Sequence, residues 1–253
     1  MVIAIDASRA NKTEKTGTEW YSYHLIQELK VMSTEDHHFI LYSPTPLTGD
    51  LAVLPEYWES RVLRWPLQKL WTQGRLALEM IWRKPDVLFI PSHAIPFVHP
   101  QKTITTIHDI GFKDHRGFYA RQEGWYHRFA LRLALRRAYH IIVPSEFTKR
   151  ELGGDPKKIV VIPHGVDPRF HTQYSPEAIK TILQKYHINQ PYFFYVGRLE
   201  DKKNTPTLLR AWSLFVSSNI KIPISNQIPN PNDQTKPNYQ LVLAGTIGHG
   251  FSL

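Results

Sequence analysis

The chain has no cysteine in 253 residues. That excludes a disulfide framework and any thiolate metal site, and it fits a reducing, cytoplasmic setting. No apolar run reaches the length of a transmembrane helix. The opening MVIAIDASR is too short and too soon acidic to read as a secretory leader. There is no G-x-G-x-x-G, so nothing argues for a dinucleotide cofactor. No His/Asp/Glu group has metal-ligand spacing. Acidic residues are the scarcer charge: 22 Asp and Glu stand against 31 Lys and Arg, a net charge of +9. Such an excess favours phosphate-rich partners, whether nucleotides, nucleic acid or anionic lipid headgroups. What is present is apolar residue enough, at 42%, for a folded core in one or two domains.

The order of elements predicts an α/β chain. Residues 2–5 form a short apolar strand ending at Asp6, then a loop with Gly17, then a helix over 19–30 with Tyr21, Leu25 and Leu29 at helical spacing. Strand, glycine-bearing loop and helix are how a doubly wound domain opens. Further strands are predicted at 38–43, 61–65, 86–90, 103–107, 141–143 and 159–162. Ser145 is a candidate cap for the helix holding Phe147 and Leu152. Residues 67–83 read as an amphipathic helix with Trp71 and Trp82 and a basic margin. It can lie on an anionic membrane or pack on its own sheet, and packing is the favoured reading. Residues 123–140 read as a basic helix with Arg128, Arg132 and Arg136 on one face. Such a row can bind nucleic-acid phosphates, but a solvated face is the favoured reading.

The stretch 192–209, YFFYVGRLEDKKNTPTLL, is the most informative. An aromatic, β-branched strand ends at Gly197. Arg198 and Lys203 follow at its carboxyl end, with Asn204 or Thr205 able to cap the next helix and Pro206 tolerated in its first turn. In open α/β sheets that edge is where ligands bind, and two cations there suit a diphosphate. A turn whose cations are merely solvated is the competing reading.

GRLEDKKN resembles the G-R-L-x-x-x-K-N signature of retaining GT-B glycosyltransferases, the family 4 or "group 1" type. The resemblance implies that Arg198 and Lys203 bind the diphosphate of a nucleotide-sugar donor. TTIHDIGF is similar to the family's T-x-H-D motif, which implies that His108 contacts the donor sugar beside the reacting carbon with Asp109 supporting it. TGTEWY resembles the first glycine-rich loop, though only Gly17 stands where two glycines are usual; Gly17 serves either donor approach or a simple turn. RRAYHIIVPSEFTKREL keeps the family pattern around Ser145 and Glu146, positions close to the cleft. PHGVDPRF resembles the element leading into the second domain. The implied fold is GT-B: a complete Rossmann-like, acceptor-side domain over 1–168, then an incomplete nucleotide-sugar-binding domain over 169–253 with a Pro/Asn-rich insertion at 219–238. The family's E-x7-E segment and several further strands are not in the chain, so it reads as truncated, with apolar surface exposed or docked in its C-terminal part.

The implied activity is a hexosyltransferase-type (mannosyltransferase-like) transfer with retention, needing neither metal nor cofactor besides the nucleotide-sugar donor, with His108 facing Arg198 and Lys203 across a gap between lobes. The implied partners are a nucleotide sugar, a saccharide or lipid-linked acceptor, the inner membrane surface, and a partner chain completing the C-terminal domain; nucleic acid is disfavoured. The alternative is a non-catalytic acceptor-, lipid- or partner-binding module of the same lineage.

Overall fold

The computed structural model describes residues 1–67, 70–92, 94–110, 121–189, 191–217 and 239–248. The insertion at 219–238 lies outside them. The chain divides into two compact units, Met1–Gly165 and Val166–Leu253.

The first unit is built on a seven-stranded, all-parallel sheet in the order β3-β2-β1-β4-β5-β6-β7. Its strands are β1 (Val2–Asp6), β2 (His38–Ser43), β3 (Trp58–Val62), β4 (Val87–Ile90), β5 (Lys102–Thr106), β6 (His140–Val143) and β7 (Ile159–Val161). The helices are α1 (Gly17–Met32), α2 (Ala77–Trp82, preceded by a π-helical turn at Thr72–Leu76), α3 (Arg121–Arg137) and α4 (Glu146–Leu152). Successive side chains on a strand point to opposite faces, and each face has its own core. Leu76 and Met80, Leu131 and Ala134 of α3, and Leu152 of α4 pack with Leu88, Ile90, Ile141 and Val143. On the other face Ile26 of α1 and Leu51 pack with Ile5, Leu41 and Phe89. Burial on both faces is what a parallel sheet requires, and it explains why β4 reads as an unbroken apolar run.

Two boundaries differ from expectation. The third strand lies at Trp58–Val62 rather than 61–65, because Trp58 anchors it. The Trp58 indole stacks on Phe39 at 4.3 Å and 9°, and its Nε1 donates to Ser33 Oγ at 3.0 Å. The helix expected over 67–83 begins near Thr72, after Leu70 takes a left-handed conformation at φ 64° that no helix continues through. Residues 68–69 lie outside the described residues. Lys30, on α1, is buried and donates to the carbonyls of Asp50, Leu51 and Val53, closing off the short 3-10 helix at Gly49–Ala52.

The second unit contains α5 (Pro176–Lys185), β8 (Tyr192–Val196), α6 (Thr205–Ser217) and β9 (Gln240–Ala244). β8 and β9 pair in parallel, Tyr192 with Gln240 through Val196 with Ala244. At their carboxyl ends Gly197 and Gly245 both have positive φ, and a Cβ on Gly245 would run into the Gly197 carbonyl oxygen. On one side of β8, Phe193 meets Trp212 and Phe215 of α6 at 6.0 and 5.8 Å and is still 42% exposed. Phe194 and Val196, on its other side, are more exposed still, at 60% and 73%.

Candidate functional site

Every strand of the first unit runs the same way, so everything that follows a strand emerges at one edge of the sheet. The strand order reverses between β1 and β4, whose carboxyl ends therefore flank a crevice. A cavity of about 90 Å³ opens there, lined by Asp6, Ser8, Arg9, Ser92 and His127 among others. Asp6 is almost fully buried, and burial pushes its carboxyl pKa up against the hydrogen bonds from Ser8 and the field of Arg9.

The loop from β1 to α1 is organised by one residue. Glu19 has a buried carboxylate that accepts Arg9 Nη1 at 3.0 Å, Lys12 Nζ at 3.3 Å and the Thr16 backbone N–H at 3.2 Å, and it also takes the Thr16 hydroxyl. Burial alone would raise its pKa, but these donors bring it down to about 2. Thr16 is the residue before the helix and Glu19 sits in its first turn, so the contact to the Thr16 N–H is one half of a capping box. Gly17 begins the helix with no positive φ, and a Cβ there would meet nothing within 4 Å. The protein's own packing does not demand glycine at this position.

His108 follows β5 and is half-buried. Its Nε2 lies 2.9 Å from the Pro91 carbonyl oxygen, which can only accept, so Nε2 carries the hydrogen. Tyr21 of α1 packs edge-on against the imidazole at 4.6 Å, and its hydroxyl is 3.2 Å from Thr106 Oγ1. His164, just after β7, is 4.8 Å from the Tyr21 ring and 5.4 Å from His108. Burial lowers the His108 pKa, His164 lowers it further, and the Pro91 bond and Asp109 oppose. Burial lowers His164 as well. Both imidazoles are therefore held neutral near pH 7. Asp109 is exposed.

The Ser145 side chain is committed to its own helix. Its Oγ accepts the Thr148 backbone N–H at 3.1 Å and caps α4. Glu146 is exposed in that helix's first turn, at the carboxyl end of β6.

In the second unit, Arg198 follows Gly197 and pairs with Glu200, its Nη2 lying 3.4 Å from Oε2. The fully buried Thr205 hydroxyl spans the loop, contacting both the N–H and the carbonyl of Glu200 at 3.3 Å. Asp201–Lys203 form a single 3-10 turn, and Asn204 takes the left-handed conformation before α6. Asn204's carbonyl accepts from Thr207 and Leu208, so Asn204 stands at the cap. Lys203 is exposed in the same turn. This loop thus places Arg198 and Lys203, with Lys202 beside them in sequence, at the carboxyl end of β8 and the amino end of α6.

The structure thus brings His108, Tyr21 and His164 into one cluster beside the loop that ends in Gly17. Tyr21 enters the sequence reading only as a core-spaced aromatic, and His164 and Asp6 only as parts of a motif and a strand end. The one hint for Glu19 is its place three residues after a threonine.

Among solved structures, the chain is similar to Anabaena HepE in complex with UDP and glucose (17% identity, TM-score 0.60, 98% of this chain and 62% of HepE covered). It is also similar to HepE in complex with UDP-glucose (16% identity, TM-score 0.59, covering 96% and 60%). A glycosyltransferase from Rickettsia africae is similar at 17% identity and a TM-score of 0.51, covering 96% and 68%. The chain therefore spans about six-tenths of HepE, and its fold is the Rossmann-like α/β fold of GT-B glycosyltransferases. No curated protein sequence matches it. The sequence model described as Glycosyltransferase Family 4 matches residues 16–170, more than half of the chain and nearly all of it within the unit that holds His108, and the chain belongs to that family.

Proposed function

We propose that the protein transfers a hexosyl group from a nucleotide-diphosphate sugar to an acceptor hydroxyl with retention of configuration. In this reading Arg198 and Lys203 bind the donor diphosphate and neutralise the charge that builds on it as the glycosidic bond to phosphate breaks. They do so without a metal ion or other cofactor. The acceptor oxygen bonds to the anomeric carbon from the face the diphosphate leaves, and its proton passes to the departing phosphate oxygen. His108 hydrogen-bonds the donor sugar, and Asp109 supports it. Gly17 admits the donor close to the backbone; Ser145 and Glu146 line the cleft. The acceptor, a saccharide or lipid-linked sugar, binds to the first unit.

The observation that carries the reading is the state of His108 in a family 4 domain. A neutral imidazole, its tautomer set by Pro91 and its ring held by Tyr21, can contact a sugar without adding a further positive charge beside the diphosphate. HepE has been solved with UDP and with UDP-glucose, which makes uridine nucleotides the first ligands to try.

Calorimetric titration with UDP and UDP-glucose tests it. Binding is expected, weakened about tenfold or more by Arg198→Ala and by Lys203→Ala, since each removes a charge-assisted contact. No binding of any nucleoside diphosphate overturns the reading, and an inverted product anomer by NMR overturns retention.

A second reading is a module that binds donor or acceptor without turnover, completed by a partner chain. It is favoured by the apolar residues exposed on the second unit, Phe194 and Val196 among them. Binding that depends on Arg198 and Lys203, with no sugar released or transferred, selects it.

A further inference from the structure

Two imidazoles, not one, emerge at the carboxyl edge of the first sheet. His108 follows β5 and His164 follows β7, with β6 between those strands in the sheet. The backbone is braced where His164 leaves it. The Ile162 N–H still donates to the Val143 carbonyl at 2.9 Å, extending the ladder between β6 and β7, and Pro163 fixes the next φ. Tyr21 bridges the two strand ends. Its hydroxyl is 3.2 Å from Thr106 Oγ1 on β5, and its ring meets His108 at 4.6 Å and His164 at 4.8 Å. The two imidazoles thereby stand 5.4 Å apart, with 35° between their planes.

The two rings are held differently. His108 is half-buried, and its Nε2 is committed to the Pro91 carbonyl. His164 is exposed and held by its ring contacts with Tyr21 and His108; among the described residues nothing hydrogen-bonds its nitrogens. A ring that only packed on Tyr21 would have no use for nitrogens, and phenylalanine would serve there.

Burial lowers the pKa of both imidazoles, so each is neutral near pH 7 and carries one N–H donor and one bare nitrogen acceptor. A sugar hydroxyl also both donates and accepts, so a neutral imidazole matches it in either direction. An ionised phosphate only accepts and favours a cation, which burial of these rings opposes. Two rings 5.4 Å apart can each reach a hydroxyl of one sugar at about 2.8–3.0 Å.

We propose that His164 is a second sugar-contacting residue: with His108 it grips neighbouring hydroxyls of the donor's hexosyl ring, and Tyr21 is the positioning residue that sets their spacing. The inference rests on the proposed transfer reaction and divides the donor between two sets of residues. The imidazoles read the sugar, and Arg198 and Lys203 hold the diphosphate.

Calorimetric titration of the whole chain with UDP-glucose and with GDP-mannose, each beside its own nucleoside diphosphate, isolates the contribution of the sugar. His164→Phe keeps a ring against Tyr21 and removes both nitrogens. It should weaken the sugar nucleotide about three- to tenfold and leave the nucleoside diphosphate unchanged. His164→Gln, which again offers a donor and an acceptor, should recover part of the loss. Tyr21→Ala should weaken the sugar nucleotide in the same sense and move the nitrogen-15 signals of the His108 ring before any ligand is added, and Tyr21→Phe should restore both. The His164 ring signals should shift with the sugar nucleotide and stay in place with the nucleoside diphosphate. If His164→Phe binds the sugar nucleotide as tightly as wild type does, the proposal is overturned and the transfer reading stands. Equal weakening of both ligands also overturns it, as does a wild-type chain that binds a nucleoside diphosphate but neither sugar nucleotide. If no nucleoside diphosphate binds wild type, the transfer reading falls and takes this inference with it.

Discussion

The two units use the same strand type under different cover. In the first, seven parallel strands lie between two helix layers, and Leu88, Ile90 and Ile141 are wholly excluded from water. In the second, two parallel strands carry α6 against one side. Among its described residues only Leu199, Glu200 and Thr205 are buried, while Phe194, Val196 and the α5 residues Ile179 and Ile182 are exposed. A parallel pair with a helix against one side has a single ladder of backbone hydrogen bonds, and it removes far less apolar area from water than a sheet covered on both faces. Stability should therefore be concentrated in the first unit, and the second should open at lower cost.

The comparison can be tested by substitution, beginning where burial is greatest. Leu88→Ala should destabilise the first unit by about 3–4 kcal/mol, seen as a lower denaturation midpoint at unchanged slope. Six of the seven tryptophans lie in that unit and only Trp212 in the other, so Trp212→Phe separates the two fluorescence signals.

Glu19→Gln should cost about 2 kcal/mol, because the charge that gathers Arg9, Lys12 and Thr16 is lost. The carboxylate's folded pKa of about 2 lies below its ordinary 4.5, so its stabilisation is fully present above pH 4.5 and is lost as pH falls toward 2. Urea titrations of wild type and variant should converge across that window, and parallel curves would show that Glu19 is not ionised as described.

The histidines give a smaller effect at milder pH. His108 and His164 both have folded pKa values below the ordinary 6.5, so below that pH the unfolded chain binds more protons than the folded one. First-unit stability should fall as pH drops below about 6.5, and His108→Gln should flatten the slope. Smallest of all, Phe194→Ala should change second-unit stability by no more than about 1 kcal/mol, as measured by hydrogen exchange in β8 and β9. A loss as large as that of Leu88→Ala would mean that Phe194 is covered in solution, and the contrast between the units would be wrong.

Much of this was legible in the residues. Unbroken apolar runs such as 87–90 mark strands buried on both faces, since no polar alternation is tolerated there. The glycine at 197, the cations that follow it and the His-Asp pair after β5 locate loops at strand ends, because turn chemistry is local. Edges were less legible. The third strand is displaced because Trp58 stacks on Phe39, a contact between residues far apart in the chain. The helix before β4 starts late because Leu70 leaves the helical region, a backbone choice no periodicity announces.

The order of strands and helices, the strand-end position of His108 and the clustering of Arg198 and Lys203 around one turn were determined by the sequence alone. They depend on period, propensity and near neighbours. Only the tertiary structure decided that Tyr21 and His164 hold the His108 ring, that Glu19 collects two cations and a cap, and that Ser145's hydroxyl is spent on its own helix. It also decided which apolar residues face the core and which are left outside. Those outcomes come from parallel strands delivering distant segments to a shared edge, and from helices that have room for only one face against the sheet.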